Sequence, residues 1–313
     1  RHVRTASACR DSDLEMTMNF PVTQQIHLDF DSARGLLRLT LNRPDARNAL
    51  NPEMVAELIA VFRHLHERAD VRVVLMRGAG GHFCAGADLK GVFSDVAKPL
   101  AEGAADPIVA VNRSFGEMLR AASSIPQVLV TVCEGGVLGG GFGLACVSDI
   151  AFAHVDSKFG MPETSRGLPP AQIAPFVVER IGLTQARRLC LTSAQFNGRE
   201  ALRLGLVHET FADEAELAER LGLTLTQILR CAPAANARTK QILLSVGHID
   251  PDAVLDQAAA HFAACARSAE APEGIGAFLQ KREASWASPI SAADAAALNP
   301  NHSSPQNHQE PSA

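Results

Sequence analysis

The stretch from Glu134 to Asp149 constrains this chain more than any other, because three consecutive glycines, Gly139 to Gly141, close an apolar strand pattern and open an apolar helical one. Glycine has no Cβ, so a ligand oxygen can come close to the backbone there. The unbonded amides at the start of the following helix, and the positive end of its dipole, add attraction for an anion. The same pattern also serves phosphates or plain tight packing, so alone it leaves the ligand and the function open.

A second element upstream narrows the reading. Val71 to Arg77 predicts a buried strand running into a turn of small residues that extends from Gly78 to Lys90. Two such turns could each donate one N–H to a single oxygen, which is the arrangement of an oxyanion hole.

Around these turns the chain resembles the enoyl-CoA hydratase/isomerase, or crotonase, superfamily. The likeness is carried by Leu41-Asn-Arg-Pro-Asp-Ala-Arg-Asn-Ala-Leu50, Phe83-Cys-Ala-Gly-Ala-Asp-Leu89, Gly139 to Gly141 with Ser148-Asp149-Ile150, and Phe159-Gly-Met-Pro-Glu163. These stand in the family's order and spacing, and the likeness runs on to Trp286. The resemblance implies an α/β fold: a spiral of ββα turns followed by a C-terminal helical trimerisation region. It implies an oxyanion hole made by the N–H groups of Ala87 and Gly140 for a thioester carbonyl. It further implies a coenzyme A groove lined by Arg47, Ala49, Ala85, Asp88 and Lys90. Phe278 and Lys281 would help hold the nucleotide end, sometimes from a neighbouring subunit. Coenzyme A then arrives as part of the substrate, and neither a separate cofactor nor a metal is expected.

The resemblance gives the acid/base role to Glu163. Its neighbours Phe159, Met161, Leu168 and Pro169 should desolvate the carboxylate and raise its pKa, which suits proton transfer. Many hydratases of the family use a second glutamate, and that position falls on Gly143. Read literally, one carboxylate suits a double-bond isomerase, which moves a proton between two carbons. Against this, the segment Phe159 to Val178, with Arg180-Ile-Gly182 and Ala186-Arg-Arg188, resembles a bacterial branch acting on 3-substituted glutaconyl-CoA esters. That branch contains the methylglutaconyl-CoA and isohexenylglutaconyl-CoA hydratases of leucine and acyclic terpene catabolism, in which a glycine at this position is usual. A glycine would leave volume for the substituent on the β-carbon. The expected reaction is therefore syn addition of water across C2=C3 of an enoyl-CoA, with Gly143 making room and Arg166 as candidate for the distal carboxylate. The alternatives are a single-glutamate isomerase and a non-catalytic acyl-CoA- or RNA-binding scaffold. The presence of Glu163 favours an enzyme.

Composition sets the outer bounds. A net charge of -5, one Trp and no Tyr leave neither a basic face nor an aromatic platform for nucleic acid. The seven cysteines form no C-x-x-C pair, which fits reduced thiols in the cytoplasm. No apolar run approaches the roughly 18 residues of a membrane span. Residues 1–17 read as an N-terminal extension or tag, 18–210 as the core with the active site, 211–287 as the helical region, and 288–313 as a disordered tail. Within the core, strands are expected over 25–30, 35–41, 71–77, 128–133 and 149–154. Helices are expected from Asn51 to His66 and over 107–123, with a polar loop over 93–106. Four more helices are expected over 213–230, 234–247, 251–268 and 270–282. No internal repeat is visible at the level of sequence. The expected partners are an acyl-CoA substrate and further copies of the chain, as a trimer or dimer of trimers.

Overall fold

The computed structural model describes residues 20–88 and 103–301. The N-terminal extension, Lys90 and most of the predicted 93–106 loop lie outside the described residues. The chain opens with the hairpin β1 (Ile26–Asp31) and β2 (Leu36–Leu41), then α1 (Pro52–Leu65) and β3 (Val73–Gly78). Helix α1 starts where its sequence says it should. The Asn51 side chain accepts from the Met54 N–H at 3.0 Å, and Pro52 occupies the first turn, where no amide partner is needed.

The next elements are α2 (Pro107–Ser124), β4 (Val128–Cys133), β5 (Gly136–Leu138), α3 (Gly140–Val147), β6 (Ile150–His154), β7 (Lys158–Gly160) and α4 (Ala174–Thr192). After these come β8 (Gln195–Phe196), α5 (Gly198–Arg203) and β9 (Glu209–Phe211). A six-stranded sheet runs β1-β2-β3-β4-β6-β9, parallel throughout except for the opening hairpin, and β5-β7-β8 form a second sheet. The repeat that sequence conceals appears here. In both β4-β5-α3 and β6-β7-α4 the first strand joins the large sheet, the second joins the small one, and a helix closes the turn.

Alternation along the strands splits the core. Leu37, Leu39, Leu41, Val74, Met76 and Leu129 pack toward α1 and α2, whereas Leu36, Val73, Leu75, Val130, Val132 and Phe152 face the other way. That second layer is closed by α6 (Glu214–Arg230), through Leu217, Leu221, Leu225 and Leu229. Helices α7 (Pro233–Ser245), α8 (Pro251–Ala266) and α9 (Glu270–Leu279) follow. Two cations, Lys240 buried and Arg72 half-buried, tie this helical region to the core. Lys240 donates to the Asp149 carboxylate at 2.7 Å and to the Gln127 carbonyl at 3.0 Å. Arg72 donates to the carbonyls of Trp286, Leu229 and Cys231 at 2.6, 2.8 and 3.1 Å.

Residues 288–301 hold more structure than their composition suggests. Ile290 is buried, and a short helix, α10 (Ala292–Ala296), packs on α6 behind a capping box between Ser291 and Asp294. The segment gains order by covering a face it could not form alone. Residues 302–313 lie outside the described residues.

Candidate active site

Each glycine of the triplet has its own reason. Gly139 holds φ 50° and ψ -116°, a conformation that side chains disfavour. A Cβ on Gly140 would stand 2.6 Å from a methyl of Leu50, and one on Gly141 would stand 2.6 Å from Cβ of Cys84. The absent side chains thus let the two small-residue turns close on one another. Residues 84–88 run between Leu50 and β5. Cys84 N–H donates to the Gly136 carbonyl at 2.9 Å, while Leu50 N–H and Asp88 N–H exchange bonds with Gly86 and Leu50 carbonyls at 2.8 Å.

In that parallel bridge the amide of Ala87 points away from Leu50. Among the described residues the N–H groups of Ala87 and Gly140 find no hydrogen-bond acceptor, and Gly140 is the first residue of a helix whose eight residues are all buried. Cys84 lies in the same wall. Its thiol is pushed up to about 12 by burial, which makes it a spacer rather than a nucleophile.

Glu163 reaches this place from a 3-10 turn, Thr164–Arg166. Ser193 clamps the turn. Its hydroxyl meets Thr164 Oγ1 at 2.6 Å and accepts from the Ser165 N–H at 3.0 Å. Thr164 also donates to the Cys190 carbonyl at 2.8 Å. The Glu163 carboxylate is thereby laid against the glycine turn, with Oε2 buried and unbonded. Burial raises its pKa above the ordinary glutamate value, against smaller opposing effects from its own backbone and from Arg166.

Ala87, Gly140 and Glu163 line one cavity of about 470 Å³, together with the apolar side chains of Phe115, Met118, Leu119, Leu168, Pro169 and Ile173. Asn112, Arg113 and Gln172 form a polar stretch of its wall, and Glu163 is the one acidic group among the described lining residues.

Other expected residues divide. Arg47, Ala49, Ala85 and Asp88 come together beside Ala87: the Ala85 N–H donates to the Arg47 carbonyl at 3.0 Å, and Arg43 bridges the Ala49 carbonyl and the Asp88 carboxylate. Arg47 is exposed and holds a left-handed φ of 51°. Phe278 and Lys281 sit on and just after α9, both exposed and outside the cavity. Arg166 is exposed and does not line the cavity, so the expected contact with a distal carboxylate is not supported by its position.

The expectation for Gly143 is also corrected. It is buried and does not line the cavity, and a Cβ there would meet Leu119 Cδ1 at 2.9 Å and Ile173 Cγ2 at 3.5 Å. The space left by its missing side chain is occupied by Leu119, not left to a substrate. Sequence reasoning passed over Leu119, Arg113 and Ser193. A faint signal existed for one of them, since Gly116 in mid-helix marks a close approach, and a Cβ there would meet both Gln172 and Arg113.

Among the described residues no group of three or more His, Cys, Asp or Glu could hold a metal ion, and no helix is long and apolar enough to cross a membrane. Residues 31–289 match the model of the enoyl-CoA hydratase/isomerase family. The chain superposes on AtuE from Pseudomonas aeruginosa with a TM-score of 0.80 and 52% identity, over 85% of this chain and 100% of that one. An enoyl-CoA hydratase/isomerase from Marinobacter aquaeolei gives a TM-score of 0.80 and 47% identity over 84% and 99% of the two chains. The 1,2-epoxyphenylacetyl-CoA isomerase of Escherichia coli is 30% identical over 80% of this chain and 94% of its own.

Proposed function

The chain belongs to the enoyl-CoA hydratase/isomerase family, and within it we propose a hydratase that adds water across the C2=C3 bond of an enoyl-CoA thioester, with 3-substituted glutaconyl-CoA esters as the substrate class. One observation carries the reading. A desolvated, unbonded carboxylate oxygen of Glu163 shares an apolar cavity with two unbonded backbone amides, those of Ala87 and Gly140.

In this reading the two amides hold the thioester oxygen and stabilise the charge that moves onto it as C3 is attacked. Glu163 takes a proton from water as the hydroxyl adds to C3. The same carboxyl then returns that proton to C2 of the enolate, so one water is consumed and the carboxylate is regenerated. A pKa raised by burial suits a group that must hold the proton briefly and then release it. The ledge of Arg47, Ala49, Ala85 and Asp88 would bear the coenzyme A moiety, as would Lys90, with Phe278 and Lys281 toward its nucleotide end.

A second reading has support in the single carboxylate of the described lining and in the isomerase relative: a Δ3,Δ2-enoyl-CoA isomerase. The two differ in where oxygen goes. Incubation in 18O water with a 3-substituted glutaconyl-CoA should give loss of enoyl-thioester absorbance and label at C3. If a 3-enoyl-CoA is isomerised while none of the branched or glutaconyl-type esters takes up label, the isomerase reading replaces the hydratase one.

The exposed apolar side chains of α8 and α9, with Phe262 at 77% and Phe278 at 81% exposure, support self-association, for which a trimer or a dimer of trimers is proposed. Light scattering that gives a monomer at micromolar concentration would remove that assignment.

A further inference from the structure

One charge in the cavity has no part in the proton chemistry. Arg113 lines it from α2, exposed and without an ion pair among the described residues, whereas Arg43 is engaged by Asp88 and Arg63 by Glu117. Its setting is specific. Nη1 lies 3.2 Å from the point where a Cβ of Gly116 would be, and Gln172 Oε1 lies 2.1 Å from the same point. The bare Gly116 therefore brings the guanidinium and an amide oxygen together on the helix surface. Gln172 is fixed in turn by its Nε2 donating to Asn112 Oδ1 at 3.1 Å.

Phe115, two positions further along α2, stands 3.8 Å from the Cβ point of Gly140. Phe115, Gly140 and Arg113 line the same cavity, so the guanidinium and the amide that would hold the thioester oxygen face one space. A planar guanidinium presents paired donors matched to a carboxylate.

We propose that Arg113 selects enoyl-CoA thioesters whose acyl part carries a second carboxylate, binding that group through its guanidinium beside Gln172. The assignment rests on the hydratase reading above, and it gives the anion-recognising role to Arg113 rather than Arg166. Coenzyme A phosphates offer the same anionic chemistry, and the experiment separates the two sources.

Hydration of a 3-methylglutaconyl-type CoA ester is compared with that of its uncharged methyl ester, and the readout is the ratio of the two kcat/KM values. Losing a hydrogen bond to a charged group corresponds to about 10- to 100-fold in that ratio, which is the fall expected for Arg113→Gln. Arg113→Lys should retain part of the preference, and Arg166→Gln should leave the ratio within about threefold. An unchanged ratio in Arg113→Gln, or an equal loss on acid and ester as a phosphate contact would give, overturns the proposal. So does a collapse of the ratio in Arg166→Gln.

Calorimetric binding of glutaryl-CoA and its methyl ester supplies a second readout that needs no turnover. If the parent hydrates neither ester, the hydratase reading fails. In that case a preference for glutaryl-CoA that Arg113→Gln removes still supports Arg113, and equal binding of acid and ester by the parent overturns it.

Discussion

Oε1 of Glu163 lies 2.8 Å from the point at which a side chain on Gly139 would begin. The carboxylate and the turn that leads into α3 are therefore in close contact, and a side chain added at Gly139 must displace the carboxylate.

Gly139→Ala should displace the carboxylate and strain a backbone held at positive φ. Misplacement of a reacting group by about 1 Å can cost on the order of 100-fold, and a fall of that size in kcat is expected. The strain should lower stability by more than about 1 kcal/mol. Steady-state kinetics and urea unfolding check the two effects separately.

Glu163→Gln should keep the fold and acyl-CoA binding but lose turnover by orders of magnitude. In the parent, kcat/KM should fall on the acid side with an apparent pKa above the usual glutamate range, because the ionised form is the base and burial opposes ionisation. A profile flat down to the ordinary glutamate pKa would contradict the placement of the carboxylate.

The same shift has a sign for stability. The folded state holds the Glu163 proton more tightly than the unfolded chain does, so ionisation costs stability as pH rises from the unfolded toward the folded pKa. Glu163→Gln should therefore melt higher than the parent at neutral pH. The gain should vanish below the unfolded glutamate pKa of about 4.3.

Gly143→Glu should not create a second working acid. Its first side-chain carbon would press on Leu119, and overpacking of this kind costs about 1–3 kcal/mol. Gly143→Glu combined with Leu119→Ala should recover stability and show more crotonyl-CoA hydration than Gly143→Glu alone. Equal activity in the two variants would show that Leu119 does not occupy the carboxylate's place.

Asp149 belongs to the family-like motif, yet it holds the structure together. Its Oδ2 accepts from the Leu129 N–H and from Lys240 Nζ, both at 2.7 Å. Lys240 is the more buried partner, at 10% side-chain exposure against 27%. Asp149→Asn strands a buried cation and should cost about 2–3 kcal/mol, the partial exposure of Asp149 placing it below the range for a fully buried pair. Lys240→Met leaves a carboxylate that water can reach and should cost less. Urea midpoints give the order.

Much of this molecule was legible in its sequence because signal and structure lay in the same short window. The Asn51-Pro52 start fixed α1, and the strand over 128–133 matches β4 residue for residue. The small sheet was not legible, since β5, β7 and β8 span two or three residues, too few for any period to show. Helix α4 was hidden by Gly182, non-helical at φ 75°, and by exposed Leu183 and Leu191, which blur its apolar stripe. In the site, Glu163, Ala87 and Gly140 were legible as motifs. Leu119 was not, because its partner Gly143 sits on a different helix and no spacing links them. Arg166 drew attention through its nearness to Glu163 in sequence, which says nothing about which way its side chain points.

The fit of Leu119 against Gly143 also bears on how such a pocket diverges. With the leucine in place, any larger residue at 143 meets an obstacle at its first carbon, so the order of change matters. Leu119 must move aside or shrink as position 143 grows, and an intermediate with the smaller residue carries an unfilled hole in the wall. Ancestors with one carboxylate and descendants with two would then be separated by a less stable step, and that asymmetry can hold a lineage on one side of it.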